Sequence, residues 1–149
     1  MKWAWSSRSG KCVIVLDANV ALAWVLKDSQ AGIDYSEAVA LAAVKGEALI
    51  APAVFPGECS YVILQAGRRS KWKAVKVAEH AEMVGVFAPA LYIAAGTIAD
   101  NVRFAIKHNV TGFDAYYLAL AMRMRAKLAT LDSGLRAAAK LAGVELFTG

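Results

Sequence analysis

The chain has 149 residues, which suits one domain with a single sizeable hydrophobic core. Lys and Arg total 17 against 12 for Asp and Glu, and the net charge of +5 favours a polyanionic partner without identifying one. No apolar run reaches the ~20 residues of a membrane-spanning helix, and residues 1–11 lack the apolar core of a secretory signal, so we expect a cytoplasmic protein with a short N-terminal extension.

Strands alternate with helices along the rest of the sequence. Residues 12–16 (CVIVL) form a continuous apolar run rich in β-branched side chains, which is typical of a strand buried on both faces of a parallel sheet. Further strands are predicted at 48–51, 128–131 and 144–147. Helices are predicted at 18–26, 33–45, 56–69, 91–108, 114–126 and 133–141, and another helix follows the basic stretch 68–76 and ends near residue 85. This alternation predicts one α/β domain over residues 12–149 with a central parallel sheet.

Four acidic residues fall where predicted helices begin. Asp17 follows the first strand, Glu58 lies in the first turn of the third helix, Asp114 opens the sixth helix, and Asp132 follows the strand at 128–131. In an open parallel sheet, ligands bind at the carboxyl ends of the strands, where the next helices begin. Acids at helix starts also serve as caps and complement the helix dipole, so each acid alone is explained equally well by capping.

The electrostatics of four neighbouring carboxylates indicate a cation. Two like charges ~4 Å apart repel by ~4 kcal/mol at an effective dielectric of ~20, so such a cluster needs a cation or raised pKa values. Oxygen ligands alone favour a hard ion such as Mg²⁺ or Mn²⁺, which in proteins commonly binds carboxylates together with substrate phosphate. The acids therefore point towards phosphodiester chemistry.

Four segments carry a family resemblance. They are VLDANVALAW (15–24), APAVFPGECSYVI (51–63), TGFDAYYLALA (111–121) and LATLDSGLRAAA (128–139), and in this order they resemble the acidic motifs of PIN-domain proteins, in particular toxins of the VapC type. The resemblance runs from about Cys12 to Phe147. It implies a three-layer α/β/α fold and a Mg²⁺- or Mn²⁺-dependent endoribonuclease that is often a homodimer and is neutralised by a small antitoxin.

The resemblance also implies roles for individual residues. The catalytic acids would be Asp17, Glu58, Asp114 and Asp132, of which the three aspartates would bind the metal directly. Asn19 stands where the family often has Ser or Thr, and its amide could orient a metal-bound water. Thr130 matches a hydroxyl position common in the family and is a candidate to hydrogen-bond a metal ligand, although a place in the core explains it as well. The mechanism requires no histidine, so His80 and His108 are expected to be surface residues.

Two other features concern binding surfaces. Arg68, Arg69 and Lys71, with Trp72 beside them, could hold RNA phosphates and stack a base, or could simply form a solvated helix junction. The chain is 58% hydrophobic. An apolar excess near Trp24, Val39 and Tyr61 would suit a homodimer interface or an antitoxin groove, and ordinary core packing explains it equally well.

Two alternatives remain open. An Asp after a buried strand, as in VLDANV, also begins the nucleophile motif of haloacid-dehalogenase-like phosphatases, but that family has a second Asp where this chain has Asn19. The other alternative is a PIN-like domain that binds RNA or protein without catalysis. The complete set of four acids argues against it.

Overall fold

The computed structural model describes residues 10–149, so most of the predicted extension at 1–11 lies outside the described residues. The described elements are, in chain order, β1 (Val13–Leu16), α1 (Ala18–Leu26), α2 (Gln30–Val44), β2 (Ala48–Pro52), α3 (Phe55–Arg69), α4 (Ala74–Gly85), β3 (Ala90–Tyr92), α5 (Ile98–His108), α6 (Gly112–Met124), β4 (Lys127–Ala129) and α7 (Ser133–Leu141). Within this part of the chain, no helix is long and apolar enough to cross a membrane.

The four strands form one parallel sheet in the order β3-β2-β1-β4. In register, Val15 of β1 pairs with Ile50 of β2 on one side and with Leu128 of β4 on the other. The chain moves outward from β1 to β3 and then returns to the other side of β1. The direction of the crossovers therefore changes between β1 and β4, the point where a crevice forms outside the carboxyl ends of the strands.

Helices form layers over the sheet. α6 packs against β1, β2 and β4 and contacts α5 and α7, whereas α1 contacts α2, α3 and α4. Ile14, Val15 and Leu16 of β1 are buried, as expected of a strand covered on both faces. The domain is a three-layer α/β/α structure with a central parallel sheet, which confirms the predicted fold class.

Three predicted element bounds are wrong. Residues 90–92 form β3, and α5 begins at Ile98 rather than near residue 91, because Thr97 and Asp100 form a capping box in which each side chain accepts the other's backbone N–H. α2 begins three residues earlier than predicted, because the Ser29 side chain accepts a hydrogen bond from Gly32 N. The predicted strand at 144–147 is reduced to an isolated parallel bridge between Leu128 and Leu146.

The residues of the predicted apolar excess have different environments. Val39 is fully buried, so core packing explains it. Trp24 is half-buried, with its ring edge-on to Phe87 at a centroid distance of 5.5 Å. Of the three, only Tyr61 on α3 is exposed to solvent.

Candidate active site

The four predicted acids lie where helices follow strands or turns, and two of them occupy N-cap positions. Asp132 is the N-cap of α7, and its Oδ1 accepts a hydrogen bond from Leu135 N at 2.7 Å. Asp17 is the N-cap of α1 but makes no side-chain capping hydrogen bond. Capping therefore accounts for one oxygen of Asp132 and leaves the Asp17 carboxylate unexplained.

Asp17 is a buried carboxylate near two other acids. It is only 4% exposed, at the carboxyl end of the central strand. Burial raises the pKa of Asp17 to about 7, a hydrogen bond from Thr130 opposes the shift, and the negative charges of Asp114 and Glu58 add to it. Among residues 10–149 the salt bridges are Arg103–Asp100 and Lys127–Glu145, so no described cation neutralises Asp17.

Thr130 connects the ends of β1 and β4. Its hydroxyl donates to Asp17 Oδ2 at 2.7 Å and accepts from Asp132 N at 3.0 Å and from Asn19 Nδ2 at 3.5 Å. Asn19 Oδ1 accepts from Leu131 N at 3.1 Å. The fully buried Thr130 hydroxyl thus orients one acid and holds the backbone of another, while the Asn19 amide fixes the loop after β4.

Glu58 is held by a tyrosine that sequence reasoning missed. The Tyr117 hydroxyl donates to Glu58 Oε1 at 2.8 Å, from a side chain that is fully buried. Tyr117 lies three residues after Asp114 on α6, and this spacing places the two side chains on one helix face. That spacing was the available signal in the sequence.

Glu58 and Asp114 also have perturbed acidities. Burial raises the pKa of Glu58, the Tyr117 hydrogen bond opposes this shift, and the Asp114 charge adds to it. Burial likewise raises the pKa of Asp114. A hydrogen bond from Thr111 opposes this rise, and the negative charge of Asp132 adds to it. Asp17, Glu58 and Asp114 are therefore near enough to influence one another through their charges, and Asp132 acts on Asp114.

The donor set suits a hard cation in its chemistry, because every candidate ligand is a carboxylate oxygen. As the side chains stand, however, no three His, Cys, Asp or Glu residues within 10–149 are placed so that they could hold a metal ion. A cation between the carboxylates would offset their mutual repulsion. The residues fit a divalent ion in type and charge, and closing around it would require side-chain movement.

The predicted RNA-binding residues lie away from the acids. Arg68 and Arg69 are exposed in the last turn of α3, and Lys71 follows with a left-handed backbone at φ 51°. Glu58 is at the other end of α3, ten residues from Arg68, which corresponds to ~15 Å along the helix axis. The structure does not bring these cations to the acidic cluster.

The neighbouring aromatic residue is already in contact with other side chains. The Trp72 ring is 4.5 Å from that of His80, and Lys76 Nζ lies 4.6 Å from its centroid. His108 packs its ring against Phe104 at 4.3 Å. Both histidines are half-buried on α4 and α5, where their rings pack on aromatic neighbours.

The central parallel sheet, with acids at helix starts that perturb one another's pKa values, is typical of a domain of the PIN type. The PIN-domain family model matches residues 14–141, and the chain belongs to this family, whose members are generally nucleases. No curated protein matches the chain significantly.

Two solved structures share the fold. PAE2754 from Pyrobaculum aerophilum has a TM-score of 0.63 and 18% identity, over 85% of this chain and 79% of that one. VapBC2 from Rickettsia felis bound to a DNA fragment from their promoter has a TM-score of 0.58 and 15% identity, over 91% of this chain and 97% of that one. At these identities the two likenesses establish the fold alone.

Proposed function

We propose that the protein is a Mg²⁺- or Mn²⁺-dependent endoribonuclease that hydrolyses RNA phosphodiester bonds and is the toxin of a toxin–antitoxin pair. The observation that carries the proposal is the buried Asp17 carboxylate, which has acidic neighbours and no described cationic partner. Membership of a family of nucleases supports the reaction class. The fold shared with VapBC2 supports the toxin assignment.

In the proposed site, Asp17, Asp114 and Asp132 hold the metal ion, and Glu58 binds it directly or through water. When bound, the cation would polarise the scissile phosphate and lower the pKa of coordinated water. The protein's own contribution is positioning. Thr130 orients Asp17 Oδ2 and the Asp132 backbone, and Tyr117 holds Glu58 Oε1.

The basic residues at the end of α3 have a secondary role in this proposal. Arg68, Arg69 and Lys71 contact RNA phosphates outside the scissile position, since ~15 Å separates them from Glu58. Their contribution is therefore to affinity. Replacing them would weaken RNA binding at moderate salt and leave the rate at saturating RNA unchanged.

The nuclease is tested with purified protein and a panel of labelled single-stranded RNAs. We expect cleavage with Mg²⁺ or Mn²⁺, loss of cleavage in EDTA, and a fall of at least about 100-fold in Asp17→Asn, the scale expected when a group acting on the transition state is lost. Asp28→Asn is the matched control, because Asp28 is exposed beyond the far end of α1. Equal activity of Asp17→Asn and wild type would refute the mechanism.

The same assay separates the alternatives. Binding of RNA without cleavage under all metal conditions would favour the non-catalytic PIN-like domain. The phosphatase alternative is not supported, because the chain belongs to the PIN family. In addition, Asn19 stands where the phosphatases have their second Asp, and its side chain forms hydrogen bonds with Leu131 N and with the Thr130 hydroxyl.

The toxin role and the partners require cells. We expect expression to arrest bacterial growth, and Asp17→Asn to abolish the arrest. The proposed partners are an antitoxin that restores growth when co-expressed and a second copy of this chain. Normal growth with a protein that cleaves RNA in vitro would contradict the toxin role and leave the nuclease standing.

A further inference from the structure

Arg136 is the basic residue nearest in sequence to the candidate active site. Of the 17 Lys and Arg residues, it alone lies within four positions of any of the four acids. It follows Asp132 by four residues on α7, where its backbone N–H donates to the Asp132 carbonyl at 2.9 Å. This spacing corresponds to ~6 Å along the helix axis and places both residues on one side of α7. The Cα–Cβ bond of Arg136 tilts towards the end of the helix that carries Asp132.

The Arg136 guanidinium is held over an aromatic ring instead of pairing with an acid. Its Cζ lies 5.4 Å from the centroid of the Tyr35 ring, within the ~6 Å of a cation–π contact. Within residues 10–149 the salt bridges involve other cations, and the arginines whose side chains form hydrogen bonds are Arg103 and Arg123. Contact with a ring satisfies none of the N–H donors of a guanidinium. Arg136 therefore keeps its charge and its donors available for a ligand.

Tyr35 fixes the guanidinium beside the carboxyl end of β4. The Tyr35 ring is half-buried on α2 and packs edge-on against Phe147 at 6.0 Å between centroids, and its hydroxyl donates to the Phe147 carbonyl at 2.9 Å. Burial raises the pKa of Tyr35, and the charge of Arg136 and a hydrogen bond from the Thr130 backbone oppose this rise. The Thr130 hydroxyl in turn donates to Asp17 Oδ2. The Tyr35 side chain therefore connects Arg136 to the strand end that holds the acids.

The acidic site needs a cation beside it in order to accept RNA. The carboxylates carry more negative charge than one divalent ion neutralises, so they repel the phosphates that flank the scissile bond. A guanidinium next to the site offsets this repulsion, and its planar fork matches two phosphate oxygens. Arg68 and Arg69 are ~15 Å from Glu58 along α3, whereas Arg136 is one helical turn from Asp132.

We propose that Arg136 binds the RNA phosphate next to the scissile one, and that Tyr35 is a positioning residue that holds the guanidinium for this contact. The contact favours a chain that continues past the cleaved bond, as RNA does. It acts on binding, because the flanking phosphate carries the same charge before and during hydrolysis. The proposal rests on the proposed nuclease function and identifies one contact between the site and its substrate.

The first test is equilibrium binding of labelled single-stranded RNA, with every chain carrying Asp17→Asn to prevent cleavage. We expect Arg136→Ala to weaken binding about tenfold at moderate salt, the scale of one hydrogen bond to a charged group. Loss of one phosphate contact should lower the slope of log Kd against log salt concentration by about 0.7, the value for single strands. Arg136→Lys keeps the charge and should keep the slope. Lys140→Ala removes the same charge one turn further along α7 and should change neither quantity.

Uncharged groups in the RNA backbone locate the contact. A methylphosphonate replaces one phosphate at a time, at each position of the RNA in turn. We expect one position beside the cleavage site at which this replacement weakens binding about tenfold in chains with Arg136 and has no effect in chains with Arg136→Ala. Equal losses in both chains at every position would overturn the proposal, as would a difference found only at the scissile phosphate.

Variants of Tyr35 separate positioning from folding. Tyr35→Leu removes the ring and should weaken RNA binding about threefold, the scale of an exposed cation–π contact, with no further loss in a chain that carries Arg136→Ala. Tyr35→Phe keeps the ring and loses only the hydrogen bond to Phe147, so it should weaken binding less than Tyr35→Leu. Equal losses from Tyr35→Leu with and without Arg136 would show a purely structural ring and overturn its positioning role.

Steady-state cleavage distinguishes failure of this proposal from failure of the nuclease. In chains with intact Asp17, Arg136→Ala should raise KM about tenfold and leave kcat within about twofold. A fall in kcat with unchanged KM would place Arg136 on the transition state and overturn the proposal, while the nuclease would stand. Weaker binding by Arg136→Ala, with no cleavage by wild type under any metal condition, would refute the nuclease and keep the phosphate contact. A wild type that does not bind RNA would overturn both.

Discussion

Replacing Asp17 by Asn should stabilise the metal-free protein at neutral and alkaline pH. The folded state raises the pKa of Asp17 from 3.8 to about 7, so between these values the folded protein binds more protons than the unfolded chain. Stability is therefore lost as the pH rises through this window, and the penalty is complete above pH 7. A pKa shift of about 3 units, at ~1.36 kcal/mol per unit, means that ionised Asp17 lowers the free energy of unfolding by about 4 kcal/mol at pH 8. At pH 5 the same linkage gives a loss of about 2 kcal/mol. Asp17→Asn should recover these amounts.

The substitution keeps the local hydrogen bond. The amide oxygen introduced by Asp17→Asn can still accept from the Thr130 hydroxyl, which lies 2.7 Å from Asp17 Oδ2. The amide group is neutral, so the charges of Glu58 and Asp114 no longer repel it. In a domain of this size about 4 kcal/mol corresponds to roughly 10 °C in Tm.

The assay is thermal and urea unfolding in EDTA at pH 8 and pH 5. Asp28→Asn serves as the control and should change stability by no more than about 0.5 kcal/mol, as is usual for an exposed position. A variant Asp17→Asn that is no more stable than wild type at pH 8, or whose gain does not shrink at pH 5, would refute the reasoning. The gain should also shrink when Mn²⁺ is added, because the ion stabilises only the wild-type carboxylate site.

Three further predictions concern the groups around the acids and the start of α5. Thr130→Val removes the donor to Asp17 and the acceptor of Asp132 N, and should lower the free energy of unfolding by about 1–3 kcal/mol in urea titrations, with Thr130→Ser close to wild type. Tyr117→Phe removes the hydrogen bond that opposes the pKa rise of Glu58, so the acidic limb of the pH–rate profile for RNA cleavage should move to higher pH. A profile whose acidic limb stays in place would mean that Glu58 does not control it. Thr97→Ala removes the α5 capping box and should cost about 1 kcal/mol of stability without changing RNA cleavage.

Local sequence patterns were sufficient for three of the four strands, β1, β2 and β4, and for placing the acids at the starts of helices. The run before Asp17 predicted the central strand because a strand buried on both faces is apolar throughout. Asp17, Glu58 and Asp132 could be placed because helices that follow parallel strands begin at one edge of the sheet, whereas Asp114 begins a helix that follows another helix. These two rules depend only on neighbours in sequence.

Contacts between distant elements could not be predicted in the same way. The hydrogen bond from Tyr117 to Glu58 depends on how α6 lies against α3, and the direction of the Asn19 amide depends on the loop after β4. The start of α5 was missed because apolar residues continue from β3 into the helix, and only the Thr97 cap marks the boundary. Ile98, Val102 and Ile106 of α5 are 86%, 51% and 75% exposed, and their four-residue spacing is the same as that of a core-facing side, so the sequence pattern alone does not distinguish the two.

The hydrogen bond between Asp17 and Thr130 joins residues 113 positions apart in the sequence. This separation has a consequence for the nascent chain during translation. β1 is the first strand of the sheet to leave the ribosome, and its neighbour β4 is the last. A nascent chain therefore carries β1 with one edge unpaired and Asp17 without its hydroxyl donor until nearly the whole domain has been translated. The acidic site is completed late, so a ribosome making this protein holds an immature form for almost the entire elongation of the domain.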